Sequence, residues 1–192
     1  MMYKGVGTRP KPKAADCLLI GDSLTNYYYT NWNSLYTGTW QIDAYGIPGG
    51  KIATLMAAIN NRDVIIDNYK TIIILLGIND LAQGWVDGKP EAQVVSETEV
   101  YMDQFIDLVK TRDTYVISCL PLDNAIKPQP PNSQVQSLNS FYLSKGNFIN
   151  CYDALATGPG GANPHVYTDG IHLLQSGYDI IEPIIYSHID FT

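Results

Sequence analysis

The chain has 192 residues, 45% apolar and 16% charged, which describes one globular domain with a sizeable core and excludes a disordered chain. Its formal net charge of −7 is unevenly spread: Lys4, Arg9, Lys11 and Lys13 stand before Ala14 with no acid among them, so the body is more acidic still. Such a body repels phosphate backbones, which argues against a nucleic-acid partner.

In chain order, residues 1–14 read as a basic, solvated tail and residues 15–192 as a single domain. No apolar segment follows the basic start, and Asp16 interrupts what is there. The tail therefore lacks the pattern of a secretory leader, and the expectation is a cytoplasmic protein, although a chain trimmed of its leader would read the same. The longest apolar run, Ile72 to Leu76, falls far short of the ~20 residues that span a bilayer. Strands are expected at residues 17–20, 41–45, 71–76, 114–117 and 147–151. The third has no polar alternation, as suits a central parallel strand covered on both faces. Helices are expected at 52–59, 94–110, 133–143 and 176–189. On the second of these, Val94, Thr98, Tyr101, Phe105 and Leu108 share a face. Pro183 marks a possible kink in the last. Residues 81–90 and 121–131 read as loops. Cys17, Cys119 and Cys151 are odd in number, lack a CxxC spacing and lie in or beside apolar runs, so they are expected to be reduced and buried. No ligand cluster suggests a metal, and no cofactor is called for. The alternation of strands and helices implies an α/β fold: a three-layer α/β/α sandwich on a five-stranded, mainly parallel, flavodoxin-like sheet. Sites in such sheets form beyond the carboxyl ends of the strands.

Four segments stand out there: Gly21-Asp22-Ser23-Leu24, Gly46-Ile47-Pro48-Gly49-Gly50, Gly77-Ile78-Asn79-Asp80 and Asp169-Gly170-Ile171-His172. The first three follow the first three expected strands, and the fourth precedes the last helix. Together they resemble the four blocks of the SGNH hydrolases, the GDSL esterase/lipase family, which carry Ser, Gly, Asn and His in this order. The resemblance runs from about Cys17 to the last helix. It implies Ser23 as nucleophile and His172 as base. It also implies an oxyanion hole made by the backbone N–H of Ser23, an N–H of the second block at Gly49, and the side-chain amide of Asn79. Pro48 has no N–H to offer, which supports Gly49.

Residue chemistry leads the same way. A serine hydroxyl needs a base within hydrogen-bond reach, and imidazole titrates close to neutrality. Asp169, three residues before His172, can accept from its Nδ1–H and fix the tautomer. His165 and His188 are the competing bases. His165 lacks a carboxylate at short spacing, and His188 lies in the last helix as a surface or packing residue. Read singly, each block is also an ordinary cap or turn.

Asp22, Tyr27, Trp85 and His165 are expected to contact substrate, with Trp85 forming a wall in the loop at 81–90. Tyr27 begins an aromatic stretch that continues through Tyr28, Tyr29, Trp32, Tyr36 and Trp40, and ordinary packing explains such residues equally well. The 14 tyrosines outnumber the 4 phenylalanines, which leans toward a polar ester. The expectation is a serine esterase acting on small acyl esters, foremost acetyl groups on a carbohydrate. Alternatives are a lysophospholipase or thioesterase on longer chains, or a non-catalytic carbohydrate-binding relative. A flavodoxin-like nucleotide binder would need a phosphate-cradling loop after the first strand, and none is present. The partner expected is a small-molecule or saccharide ester; oligomeric state is open.

Overall fold

The register of the sheet fixes where the chemistry can gather. In this computed structural model, β1 (Cys17–Gly21) pairs in parallel with β2 (Ile42–Gly46) on one side and β3 (Thr71–Leu75) on the other, so Gly21, Gly46 and Leu75 lie in one row. The three segments that follow those residues must therefore leave the sheet side by side. β4 (Asp113–Ile117) and β5 (Phe148–Ile149) extend the parallel sheet in the order β2-β1-β3-β4-β5. That order reverses direction between β1 and β3, and ligand crevices of open α/β sheets form at such a switch point. The structure describes residues 17–26, 42–127, 130–157, 162–163 and 166–189. The basic tail, the aromatic stretch from Tyr27 to Trp40, and His165 lie outside them. Among the described residues no helix is long and apolar enough to cross a membrane.

Strand periodicity builds two cores. Leu18, Ile20, Ile72 and Ile74 face one side, where they pack with α1 (Ile52–Asn60), α2 (Ile78–Val86), α3 (Glu91–Val109) and α4 (Asn132–Leu143). Leu19, Ile73 and Leu75 face the other, against the short α5 (Tyr152–Leu155) and the long α6 (Gln175–His188). The unbroken apolar run of β3 is thus divided between two helical layers, as a doubly covered central strand requires. Cys17, Cys119 and Cys151 are buried thiols outside any disulfide.

The elements depart from the sequence reading in definite places. Residues 81–90 are not all loop: α2 runs to Val86 and carries Trp85. A glycine at position 84 speaks against a helix, yet a Cβ there would lie 2.5 Å from both methyl carbons of Val94. Gly84 is the price of bringing α2 and α3 into close contact. On α3 the buried seam runs through Val94, Thr98, Met102, Phe105 and Val109 rather than Tyr101 and Leu108, and Tyr101 is exposed. α6 continues through Pro183 without a break.

Candidate active site

Ser23 stands just past the carboxyl end of β1, at the start of a helical turn, and is 8% exposed. The turn is set by Asp22, whose Oδ1 accepts the N–H of Leu24 at 2.9 Å in an Asx-type arrangement. Opposite it, His172 Nε2 lies 2.9 Å from Ser23 Oγ. His172 Nδ1 lies 2.7 Å from Asp169 Oδ2. A spacing of three residues suffices because the other oxygen of Asp169 accepts the N–H groups of Ile171 and His172, at 3.1 and 2.8 Å, and so curls the segment onto itself. Burial alone would raise the pKa of Asp169; the His172 N–H, its ring and the Ile171 N–H outweigh it and bring the carboxyl down to about 2. Asp169 is therefore a fixed anion at neutral pH.

Three further contacts hold these two turns in place. The Tyr178 hydroxyl, on α6, donates to Leu24 O at 2.9 Å. The loop after β4 reaches the same rim: the Asp123 N–H donates to Gly170 O at 2.9 Å, and the Tyr167 hydroxyl donates to Pro121 O.

The second and third segments complete the rim. Ile47 N–H donates to Gly21 O, and Gly50 N–H closes a turn on Ile47 O at 2.8 Å. With Pro48 lacking an N–H, the exposed Gly49 N–H is left without a partner among the described residues, as is that of Ser23. Gly77, at φ +116, turns the chain sharply after β3 so that Asn79 falls in the first turn of α2. The amide of Asn79 donates to Gly50 O at 3.0 Å and to Asp22 Oδ2 at 3.2 Å, tying the three segments together. Asp80, beside it, accepts the Ile52 N–H with both oxygens, at 3.3 and 3.1 Å, and pins the first turn of α1 to α2. Burial pushes Asp22 up to about 7, against the pull of the Leu24 N–H. It pushes Asp80 up to about 6, against the pull of the Ile52 N–H.

The structure thus brings together Ser23, His172, Asp169, Asn79 and, through Gly50, the Gly49 segment. It turns Asp22 inward: at 1% exposure its carboxyl is taken up by the Leu24 N–H and the Asn79 amide rather than open to a substrate, as the sequence reading has it. Trp85 is 48% exposed on α2, and no hydrogen bond or ring contact among the described residues joins it to this group. Tyr27 and His165 lie outside the described residues. His188 Nδ1 faces Ile184 O within α6, far from the serine in role. The tying parts of Asp80 and Tyr178 escaped the sequence reading; an acid directly after Asn79 in a helix's first turn was the one available signal. Among the described residues no group of three His, Cys, Asp or Glu side chains is placed to hold a metal ion. Chemically, an acid-held imidazole on a serine beside open N–H donors can move a proton and receive a developing oxyanion.

Among solved structures, a GDSL-like lipase from Bacteroides thetaiotaomicron shares the fold with a TM-score of 0.75 at 23% identity, over 93% of this chain and 89% of that one. A lipase/acylhydrolase from Enterococcus faecalis aligns at 0.69 and 19% identity, over 90% and 94%. A catalytic mutant of an acetylxylan esterase from Geobacillus stearothermophilus aligns at 0.67 and 17%, over 92% and 94%. No curated protein matches the sequence. The sequence matches the model of the GDSL-like Lipase/Acylhydrolase family across residues 19–180. On that match the chain belongs to the GDSL-like lipase/acylhydrolase family and is a carboxylic ester hydrolase.

Proposed function

We propose that the protein hydrolyses small acyl esters through a covalent intermediate on Ser23. The observation that carries this reading is the unbroken relay from Asp169 Oδ2 through His172 to Ser23 Oγ, with links of 2.7 and 2.9 Å. Ser23 Oγ attacks the ester carbonyl while its proton passes to His172 Nε2, and Asp169 stabilises the imidazolium. The tetrahedral oxyanion accepts from the N–H groups of Ser23 and Gly49 and from the amide of Asn79. The Asn79 N–H directed at Asp22 Oδ2 is shared with the oxyanion, so Asp22 keeps its hold on the amide. Collapse returns the proton from His172 to the leaving alcohol and leaves the acyl group on Ser23. A water, deprotonated by His172, then releases the acid and restores the serine.

An acetylated carbohydrate is the substrate class this reading favours. The acetylxylan esterase neighbour and the excess of tyrosine over phenylalanine support it. A fluorophosphonate should label the wild-type chain covalently and fail to label Ser23→Ala; labelling that survives the substitution sinks the nucleophile. Turnover of p-nitrophenyl esters should decline from acetate toward longer acyl chains. A sharp preference for chains longer than about eight carbons would favour a lysophospholipase or thioesterase instead.

A further inference from the structure

At the root of the third segment, one backbone carbonyl is claimed by two side-chain donors. Leu76 stands just past the end of β3, where the chain leaves the sheet, and among the described residues no backbone N–H donates to its oxygen. The Tyr142 hydroxyl, on α4, donates to Leu76 O at 3.0 Å. The Cys119 thiol, two residues past β4, donates to the same oxygen at 3.1 Å. All three residues are buried. An interior carbonyl must be paired, but a single donor meets that need.

Gly77 gives the second donor a purpose. It stands at φ +116, and a glycine restrains its own backbone less than any other residue. The Leu76 carbonyl shares a peptide plane with the Gly77 N–H, so two donors on that oxygen fix the plane from which Gly77 turns. Asn79 follows at once, in the first turn of α2. The donors also pack directly against the turn: a Cβ on Gly77 would lie 2.4 Å from the Tyr142 hydroxyl oxygen and 3.1 Å from Cys119 Sγ.

The donors are themselves anchored. The Asn139 carboxamide, three residues before Tyr142 on α4, accepts the Cys119 N–H at 2.7 Å and donates to the Cys119 C=O at 2.9 Å. Helix α4 thus grips Leu76 twice, directly through Tyr142 and through Asn139 by way of Cys119. Burial pushes the pKa of the phenol and of the thiol up, so each keeps its proton, and its role as donor, at neutral pH.

We propose that Tyr142 is a positioning residue for ester hydrolysis: with Cys119 it locks the Leu76–Gly77 peptide and thereby holds the Asn79 amide where the oxyanion forms. It touches neither the substrate nor the reacting atoms. The inference rests on the reading of Asn79 as an oxyanion donor.

Kinetics on p-nitrophenyl acetate test it. Tyr142→Phe keeps the ring and removes one donor; it should lower kcat about tenfold with KM little changed, because small displacements of a positioned group are costly to rate. Removing the weaker thiol donor as well, in Tyr142→Phe/Cys119→Ala, should bring kcat down toward that of Asn79→Ala. In an Asn79→Ala background, Tyr142→Phe should change kcat by less than about twofold, since no amide is left to misplace. A role confined to the fold would lower kcat by the same factor in both backgrounds. Val135→Ala, a buried change on the same helix at a side chain that makes no hydrogen bond, should melt lower at unchanged kcat. The proposal is overturned if Tyr142→Phe keeps wild-type kcat, if its loss persists undiminished without Asn79, or if Val135→Ala loses kcat along with its stability. Wild-type kcat in Asn79→Ala alone would instead sink the oxyanion reading, and this inference with it.

Discussion

A carboxyl that burial holds near neutrality rests against the amide proposed to meet the oxyanion. Asp22 and Asn79 are therefore best read as a pair, with Asp22 positioning and Asn79 donating. Asn79→Ala should lower kcat by about 10²–10³ with KM little changed. Asp22→Ala leaves the amide held by Gly50 O alone, so a loss of roughly tenfold in kcat is expected, well short of losing the donor itself. Asp22→Asn keeps an acceptor for the Leu24 N–H but sets an NH2 against the Asn79 amide, so it should lose about as much kcat as Asp22→Ala; a kcat near that of wild type would refute the positioning role. The same variant should also melt higher than wild type at pH 8, because ionising a carboxyl raised to about 7 costs the folded state on the order of 4 kcal/mol there. The identities at the rim were legible from order and type: Ser23, Asn79, Asp169 and His172 each follow or precede an element that the pattern of apolar runs already marks. The direction of Asp22 was not, since a side chain beside a nucleophile can point either way. What decides is the Leu24 N–H, a backbone group that no spacing reveals.

At the scale of elements, the junction of α2 and α3 shows two effects of similar size in competition. Replacing Gly84 by alanine favours the helix by up to about 1 kcal/mol. The added methyl overlaps both methyl carbons of Val94, which cannot swing aside, and overpacking of that kind costs about 1–3 kcal/mol. Gly84→Ala should therefore lower the urea midpoint, and adding Val94→Ala should recover part of it; a rise in the single variant would mean that α2 and α3 separate easily. Local propensity misread this stretch for the same reason: the glycine is chosen by Val94, ten residues away. Strand β3 and helix α1 were readable from sequence because their own periodicity carries them, whereas α2 exists through its contacts.

For the whole molecule, the buried acids set how stability depends on pH. Asp22 and Asp80, raised to about 7 and about 6, bind protons more tightly folded than unfolded. Their contribution is complete below about pH 4 and is lost as pH rises through those values. Asp169, lowered to about 2, acts in the opposite sense: its contribution stands above about pH 4 and is lost as pH falls toward 2. These three groups together place the melting maximum in mild acid, with a decline toward neutrality that Asp22→Asn should flatten. Melting curves collected from pH 3 to pH 9 check both statements, and a wild-type maximum above pH 7 would contradict them. The contact between His172 and Ser23 has a different consequence. It joins residues 149 positions apart, and the strands that carry Ser23 and Asn79 are linked only through crossovers. Non-local pairings of this kind form late in folding. Reactivity toward a fluorophosphonate is then a clock for refolding: it should return no sooner than the intrinsic fluorescence of the assembled chain, and a partly folded species should carry a serine but no nucleophile.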